Sequence, residues 1–218
     1  MMKLHAADGH QFQAYEAGNV NAPRALVVVQ EIFGVNAHMR AVCERLAQHG
    51  YHVLSPALFD RVRPNVELGY DKTDVEAGRA LRAQIAEEAV LQDISATALA
   101  LGNKPIGMIG YCWGGTLAWL GATRTSHFRA ACGWYGAGIA VTRQEVPHCP
   151  VQLHFGALDQ SIPQADIDAI RKAQPELEIF VYPEADHGFG CEARASYNPQ
   201  ANELAELRSL AFFAEHLR

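Results

Sequence analysis

The chain has 218 residues, 49% hydrophobic and 19% charged: long enough to fill one core and too apolar for a disordered protein. A formal charge of −6, with no Lys/Arg cluster, argues against nucleic acid as a partner. Met1-Met2-Lys3-Leu4-His5 lacks the apolar stretch of a signal peptide, no run reaches membrane-spanning length, and the five cysteines form no C-x-x-C pair, so a cytoplasmic protein with reduced thiols is expected.

Taken in order, Asp8-Gly9 signals a two-residue hairpin between residues 3–7 and 10–16. Ala25–Val29 is an unbroken β-rich run, the pattern of a strand covered on both faces. Asn36 caps a predicted helix that carries Met39, Val42 and Leu46 on one face and ends at Gly50. Residues 51–54 read as a strand stopped by Pro56. A proline-broken polar loop over 57–72 leads into a helical region over 73–101. Strands follow at 105–109, 129–135, 150–155 and 177–182, with a helix over 163–173. The final helix places Leu204, Leu207, Leu210, Phe213 and Leu217 at helical spacing. Alternating strands and helices after a hairpin predict one α/β domain over 1–218, with a mostly parallel central sheet and helices on both faces.

Gly110-Tyr111-Cys112-Trp113-Gly114-Gly115 lies between an apolar strand and Thr116-Leu117-Ala118-Trp119-Leu120, which continues as a helix. Strand, tight turn and helix is the setting of the nucleophile elbow Gly-x-Ser-x-Gly, here with cysteine in the serine's place. A side chain two residues to either side of the nucleophile would collide with backbone, which is why glycine stands there. The Trp113 N–H, at the helix start, is aimed at developing negative charge. The glycines do not match G-x-G-x-x-G, so a dinucleotide loop fits less well.

Functional groups collect at the carboxyl ends of strands in α/β sheets. After the elbow, Phe155-Gly156-Ala157-Leu158-Asp159 and Tyr182-Pro183-Glu184-Ala185-Asp186-His187 supply an acid and then a histidine, in the chain order of α/β-hydrolases. His187 would take the thiol proton and return it to the leaving group, with Asp159 fixing its tautomer. Asp186 and Glu184 are rival acids, but a sequence neighbour rarely reaches behind a histidine. A class I glutaminase would want an acid two residues after the histidine, where Phe189 stands. The loop after the first core strand, Gln30-Glu31-Ile32-Phe33-Gly34-Val35-Asn36, is expected to give the Ile32 N–H to the oxyanion hole. Glu31, a carboxylate at a buried strand end, needs a partner, and an arginine would be the plain one.

Gln-Glu-Ile-Phe-Gly-Val-Asn, Gly-Tyr-Cys-Trp-Gly-Gly, Gly-Ala-Leu-Asp and His-Gly-Phe together resemble the dienelactone hydrolase (carboxymethylenebutenolidase) family over nearly the whole chain. The resemblance implies an α/β-hydrolase fold of eight strands without a large lid, and a Cys112–His187–Asp159 triad. It implies that Glu31 interacts with Cys112 and keeps the thiol neutral at rest, because a nearby carboxylate opposes a thiolate. It implies two arginines gripping a substrate carboxylate, one four residues after the histidine. Here that position is Cys191, the nearest arginine is Arg194, and Arg79 and Arg82 are the candidates for the other. Tyr135 resembles the family's tyrosine beside the nucleophile, and Phe189 is grouped with it among the substrate contacts.

The expectation is a cofactor- and metal-independent hydrolase of small esters or lactones, monomeric or a small homo-oligomer, with no membrane partner. The alternative is a catalytically weak small-molecule-binding or thiol redox-sensing protein on the same fold. A sensor would need neither Asp159 nor Glu31.

Overall fold

The structure, a computed structural model, describes residues 1–218. Met2–His5 (β1) and Gln11–Ala17 (β2) pair antiparallel, and β2 is antiparallel to His52–Pro56 (β4). The other pairs are parallel and bring in Ala25–Val29 (β3), Ile106–Tyr111 (β5), Ala130–Trp134 (β6), Val151–Gly156 (β7) and Glu178–Tyr182 (β8). The sheet order is β1-β2-β4-β3-β5-β6-β7-β8. The chain winds one way from β3 to β4, then returns past β3 to lay down β5. That reversal opens a crevice at the carboxyl ends of β3 and β5, where α/β sheets hold their sites. Every residue of β3 to β7 is buried, which is why these strands read as continuous apolar runs.

Ala37–Gln48 (α1) starts where expected, with the Asn36 side chain accepting from the Met39 N–H. Several expectations need correction. The hairpin loop has three residues: Gly9 donates to Ala6, and Ala6 to His10, a turn closed by a glycine at positive φ. Strand β4 runs on through Pro56, which faces Ala14 of β2, beyond the last β3 pair, so its missing N–H breaks no ladder there. The polar loop contains a 3-10 turn at Leu58–Arg61. The helical region is two helices, Lys72–Arg82 (α2) and Glu87–Ala100 (α3). The elbow helix is Trp113–Arg124 (α4), and one short helical turn, Ile139–Thr142 (α5), follows Gly138. Gln164–Ala173 (α6) lies where predicted.

The last helix, Pro199–His216 (α7), turns a different face inward than its leucines suggest. Leu204 and Leu207 are exposed, and the buried face is Ala201, Asn202, Ala205, Ser209, Phe212 and Phe213. Small residues let the helix approach the sheet closely. The Ser209 hydroxyl then meets the Trp134 Nε1–H of β6 at 3.2 Å and His154 Nε2 of β7 at 3.1 Å. A polar anchor set the rotation of the helix, which a leucine count does not reveal.

Candidate active site

Strand β5 delivers Cys112 into the turn before α4 with φ 55° and ψ −114°. Few non-glycine residues hold positive φ, and the strain persists only where surrounding structure forces it. Here a β-carbon on Gly110 would run into the Gly114 carbonyl, and one on Gly114 into the carbonyls of Val29 and Gln30. The elbow therefore closes on β3 as well as on itself, which brings Cys112 beside the Glu31–Ile32 loop.

Two loops behind the elbow hold the acid and the histidine. Register in the parallel β7–β8 pair places Gly156 opposite Tyr182. The loops beyond stay together: Ala157 donates to Tyr182 and Leu158 to Ala185, each at 2.9 Å. Asp159 is thereby set 2.7 Å from His187, Oδ2 to Nδ1. Its other oxygen accepts from the Ser161 N–H at 2.8 Å. His187 Nε2 lies 3.2 Å from Cys112 Sγ, and Ser196 anchors the histidine from behind by donating to its carbonyl at 2.7 Å. Nδ1–H therefore points at the carboxylate and Nε2 at sulfur.

Burial opposes the charged form of both partners. For His187 the hydrogen bonds to Asp159 and Cys112 outweigh it and push the imidazolium up to about 10. For Asp159 the bond from His187 outweighs burial and holds the carboxyl below its ordinary value. Asp186 and Glu184 are exposed, and Asp186 accepts from the His187 backbone N–H at 2.6 Å. Neither rival acid stands behind the ring.

The Ile32 N–H donates to no acceptor in the protein. As first residue of α4, Trp113 also has a free N–H, which no helix start can satisfy internally. Two free donors thus lie on the loop after β3 and at the start of α4. The α2 helix seats the Ile32 loop through Gly78, where a β-carbon would strike the Ile32 carbonyl. The indole of Trp113 stacks on Phe59, ring centres 5.6 Å apart.

Glu31 is not within hydrogen-bonding distance of Cys112, contrary to the contact the resemblance implies. Its Oε1 accepts from Arg194 Nη1 at 3.2 Å, the arginine partner that burial of a carboxylate calls for. Its Oε2 has no partner. Burial pushes the Glu31 carboxyl above its ordinary value, against the pull of Arg194 and His187.

The substrate-contact residues divide. Tyr135 is fully buried at φ 39°, its ring edge-on to His187 with centres 5.2 Å apart and its hydroxyl unpartnered. Arg82 lies over the Trp113 ring, 5.9 Å from its centre, while Arg79 and Arg82 are both exposed with no acidic partner. They line a shallow pocket of about 310 Å³ with Ala83 and Ile85. Phe189 is fully buried, stacked on Trp134 and edge-on to Tyr135, and so packs as core. Its aromatic neighbours come from β6, the residue after it and β8, so nothing in its own loop marked it as core.

Sequence reasoning missed three further residues, Ser161, Ser196 and His38. Ser161 and Ser196 hold the acid and histidine loops, and two serines in polar loops carry no signal of that kind. His38 and Cys191 lie beside Glu31. Cys191 drew notice only as the position where an arginine was expected.

The signature of the dienelactone hydrolase family matches residues 12–217. A candidate carboxymethylenebutenolidase of Synechocystis is 41% identical over 196 residues, covering 81% of this chain and 79% of the relative. A carboxymethylenebutenolidase of Pseudomonas putida is 32% identical over 225 residues, covering 98% and 95%. Among solved structures, a candidate dienelactone hydrolase from Klebsiella pneumoniae superposes with a TM-score of 0.83 at 32% identity, over 97% of each chain. The Pyrococcus furiosus esterase Pf2001 shares the fold, with a TM-score of 0.73 at 15% identity over 100% of this chain and 92% of that one.

Proposed function

This chain belongs to the dienelactone hydrolase family and is an ester or lactone hydrolase of the α/β-hydrolase fold, and we propose that it cleaves small substrates through Cys112, His187 and Asp159, with Glu31 gating the thiol. The observation that carries this reading is the unbroken hydrogen-bonded chain, Sγ to Nε2 at 3.2 Å and Nδ1 to Oδ2 at 2.7 Å, starting at a strained elbow.

In the reaction His187 takes the Cys112 proton at Nε2, and the sulfur attacks the ester carbonyl carbon. The carbonyl oxygen becomes an oxyanion, received by the Ile32 and Trp113 N–H groups. The tetrahedral intermediate collapses by breaking the carbon–oxygen bond to the alcohol. Nε2 protonates that oxygen, leaving a thioester on Cys112; a lactone keeps its new hydroxyl on the same acyl chain. A water then gives its proton to Nε2 and attacks the thioester, a second oxyanion forms, and the acid departs as Cys112 recovers its proton. Asp159 accepts from Nδ1–H throughout, which fixes the tautomer and stabilises the imidazolium.

Glu31 acts before substrate arrives. Turned toward Cys112, its charge would disfavour the thiolate; turned toward Arg194, as here, it leaves the thiol to His187. Support comes from its near-total burial on the loop that packs against the elbow.

The test is turnover of p-nitrophenyl acetate by the wild-type protein and by Cys112→Ala. Losing a triad nucleophile removes on the order of 10³-fold or more of the rate. Activity of the variant within about tenfold of wild type would overturn the assignment. A wild-type protein whose thiol alkylates readily without turnover would instead be the binding or redox protein.

A further inference from the structure

Glu31, His38 and Cys191 reach one point from three segments: the loop after β3, the first turn of α1 and the loop after His187. One ligand atom of each lies within 4.8 Å of the other two. All three residues are buried, with relative exposures of 1%, 9% and 0%. Glu31 Oε2 and His38 Nε2 are both sealed from solvent and both without a hydrogen-bond partner. Buried polar atoms are nearly always satisfied, and one left over asks for a water or an ion. Two residues with such atoms, clustered with a buried sulfur, make the stronger request.

We propose that Glu31 Oε2, His38 Nε2 and Cys191 Sγ bind a divalent cation of the zinc class, at a site that borders the catalytic groups through Glu31 and uses neither Cys112 nor His187. The donor types choose the metal. Thiolate, imidazole and carboxylate together suit Zn²⁺, whereas Mg²⁺ and Ca²⁺ want shells of oxygen. Around a tetrahedral zinc, ligand atoms stand roughly 3.3–3.8 Å apart, as the usual zinc–sulfur and zinc–nitrogen distances require. Bringing the present spread of up to 4.8 Å to that geometry closes it by about 1 to 1.5 Å, shared among the three side chains. Three protein ligands leave the fourth position to a water. Binding exchanges the Cys191 thiol proton for the metal, and the proton leaves to solvent.

The surroundings suit this exchange. Burial and the Glu31 charge push the Cys191 thiol up, so without a cation the sulfur keeps its proton; the Tyr70 hydroxyl and the Ala193 N–H face it and pull the other way, the outer support that metal thiolates use. Arg194 occupies Oε1 of Glu31 and leaves Oε2 free. Tyr70 and Arg194 also line a pocket of about 480 Å³, so solvent reaches the two residues that cover the cluster.

The experiment titrates full-length Cys112→Ala protein with Co²⁺, so that the proposed nucleophile offers no thiol of its own. Stoichiometric binding is expected, with thiolate-to-cobalt charge-transfer absorption, displacement by Zn²⁺ and none by excess Mg²⁺. Adding Cys191→Ser should abolish the charge-transfer band. Adding His38→Gln should keep the band and weaken binding by more than about tenfold. Absence of Co²⁺ binding in Cys112→Ala, or a band that survives Cys191→Ser, overturns the site. Neither readout depends on hydrolysis, and the single variant already decides the matter should a double variant fail to fold.

Discussion

Arg194 donates to Glu31 across 3.2 Å, joining a loop after the last strand to the loop after the first core strand, 163 residues earlier in the chain. The carboxylate is 1% exposed and the guanidinium side chain 21%, so the pair is largely out of water. One Glu31 oxygen stays without a hydrogen-bond partner.

The gating role makes a prediction opposite to that of a plain ion pair. Glu31→Gln removes a negative charge beside the elbow, so the free enzyme's Cys112 should alkylate faster with iodoacetamide near neutral pH while ester turnover falls. A residue that serves only to neutralise Arg194 would leave the alkylation rate unchanged. Slower or equal alkylation in a folded variant therefore removes the gate.

The choice of acid rests on geometry that a paired substitution can check. Asp159 contacts the ring nitrogen, whereas Asp186 contacts only the backbone N–H of His187. Asp159→Asn leaves the shape but offers the wrong hydrogen-bonding partner to Nδ1, and kcat should fall on the order of 10³-fold or more. Asp186→Asn should stay within about threefold of wild type. A reversed ranking would show that the wrong carboxylate was chosen.

What the sequence made legible was local. An elbow announces itself because Gly110 and Gly114 are demanded by backbone approach within a few residues, and the order Cys112, Asp159, His187 follows from each lying at a strand's carboxyl end. Partnerships across the chain were not legible. Glu31 was seen to need an arginine, but five residues of β3 and a count of arginines do not say that Arg194 is the one. The inward face of α7 escaped for a related reason: Ser209 is fixed by Trp134 and His154 on two strands, and a serine between leucines reads as surface. Phe189 became core through Tyr182 of β8 and through Trp134 of β6, 55 residues earlier.

Stability should fall on acidification because of His154. Burial, with Arg208 adding to it, holds the imidazole down to about 3, and its two nitrogens are bonded to Tyr182 at 2.8 Å and Gln152 at 2.9 Å. Between about pH 6.5 and 3 the unfolded chain binds a proton that the native state refuses, so stability rises with pH across that window. The loss on acidification is up to about 1.4 kcal/mol per pH unit. His187 acts in the opposite direction: with its folded value raised to about 10, its contribution is whole below about pH 6.5 and disappears as pH climbs toward 10. Urea denaturation across the acid range checks the first claim. A slope that His154→Gln leaves unchanged would assign the acid sensitivity elsewhere.

The last prediction concerns substrate charge. A carboxylate-binding pocket wants a bidentate arginine, since the guanidinium matches carboxylate geometry and keeps its charge. Cys191 stands where such an arginine was expected, and it is buried among Glu31 and His38. Arg194 is close enough, but its charge is already matched by Glu31 at 3.2 Å, and a substrate carboxylate would have to displace that partner. Arg82 is the one arginine that borders Trp113 without an acidic partner, and it is exposed. An ion pair made in water at that position is worth at most about 1 kcal/mol, less than tenfold in rate. Asp159 adds negative charge nearby. Uncharged small esters and lactones should therefore be turned over at least as well as lactones bearing a free carboxylate, and Arg82→Gln should change kcat/KM for the acid by less than about fivefold. The comparison is a lactone acid against its methyl amide at matched ionic strength. Preference for the acid by more than about tenfold would mean that Arg194 leaves Glu31 to clamp the substrate, and that the ion pair described here belongs to the waiting enzyme rather than to the working one.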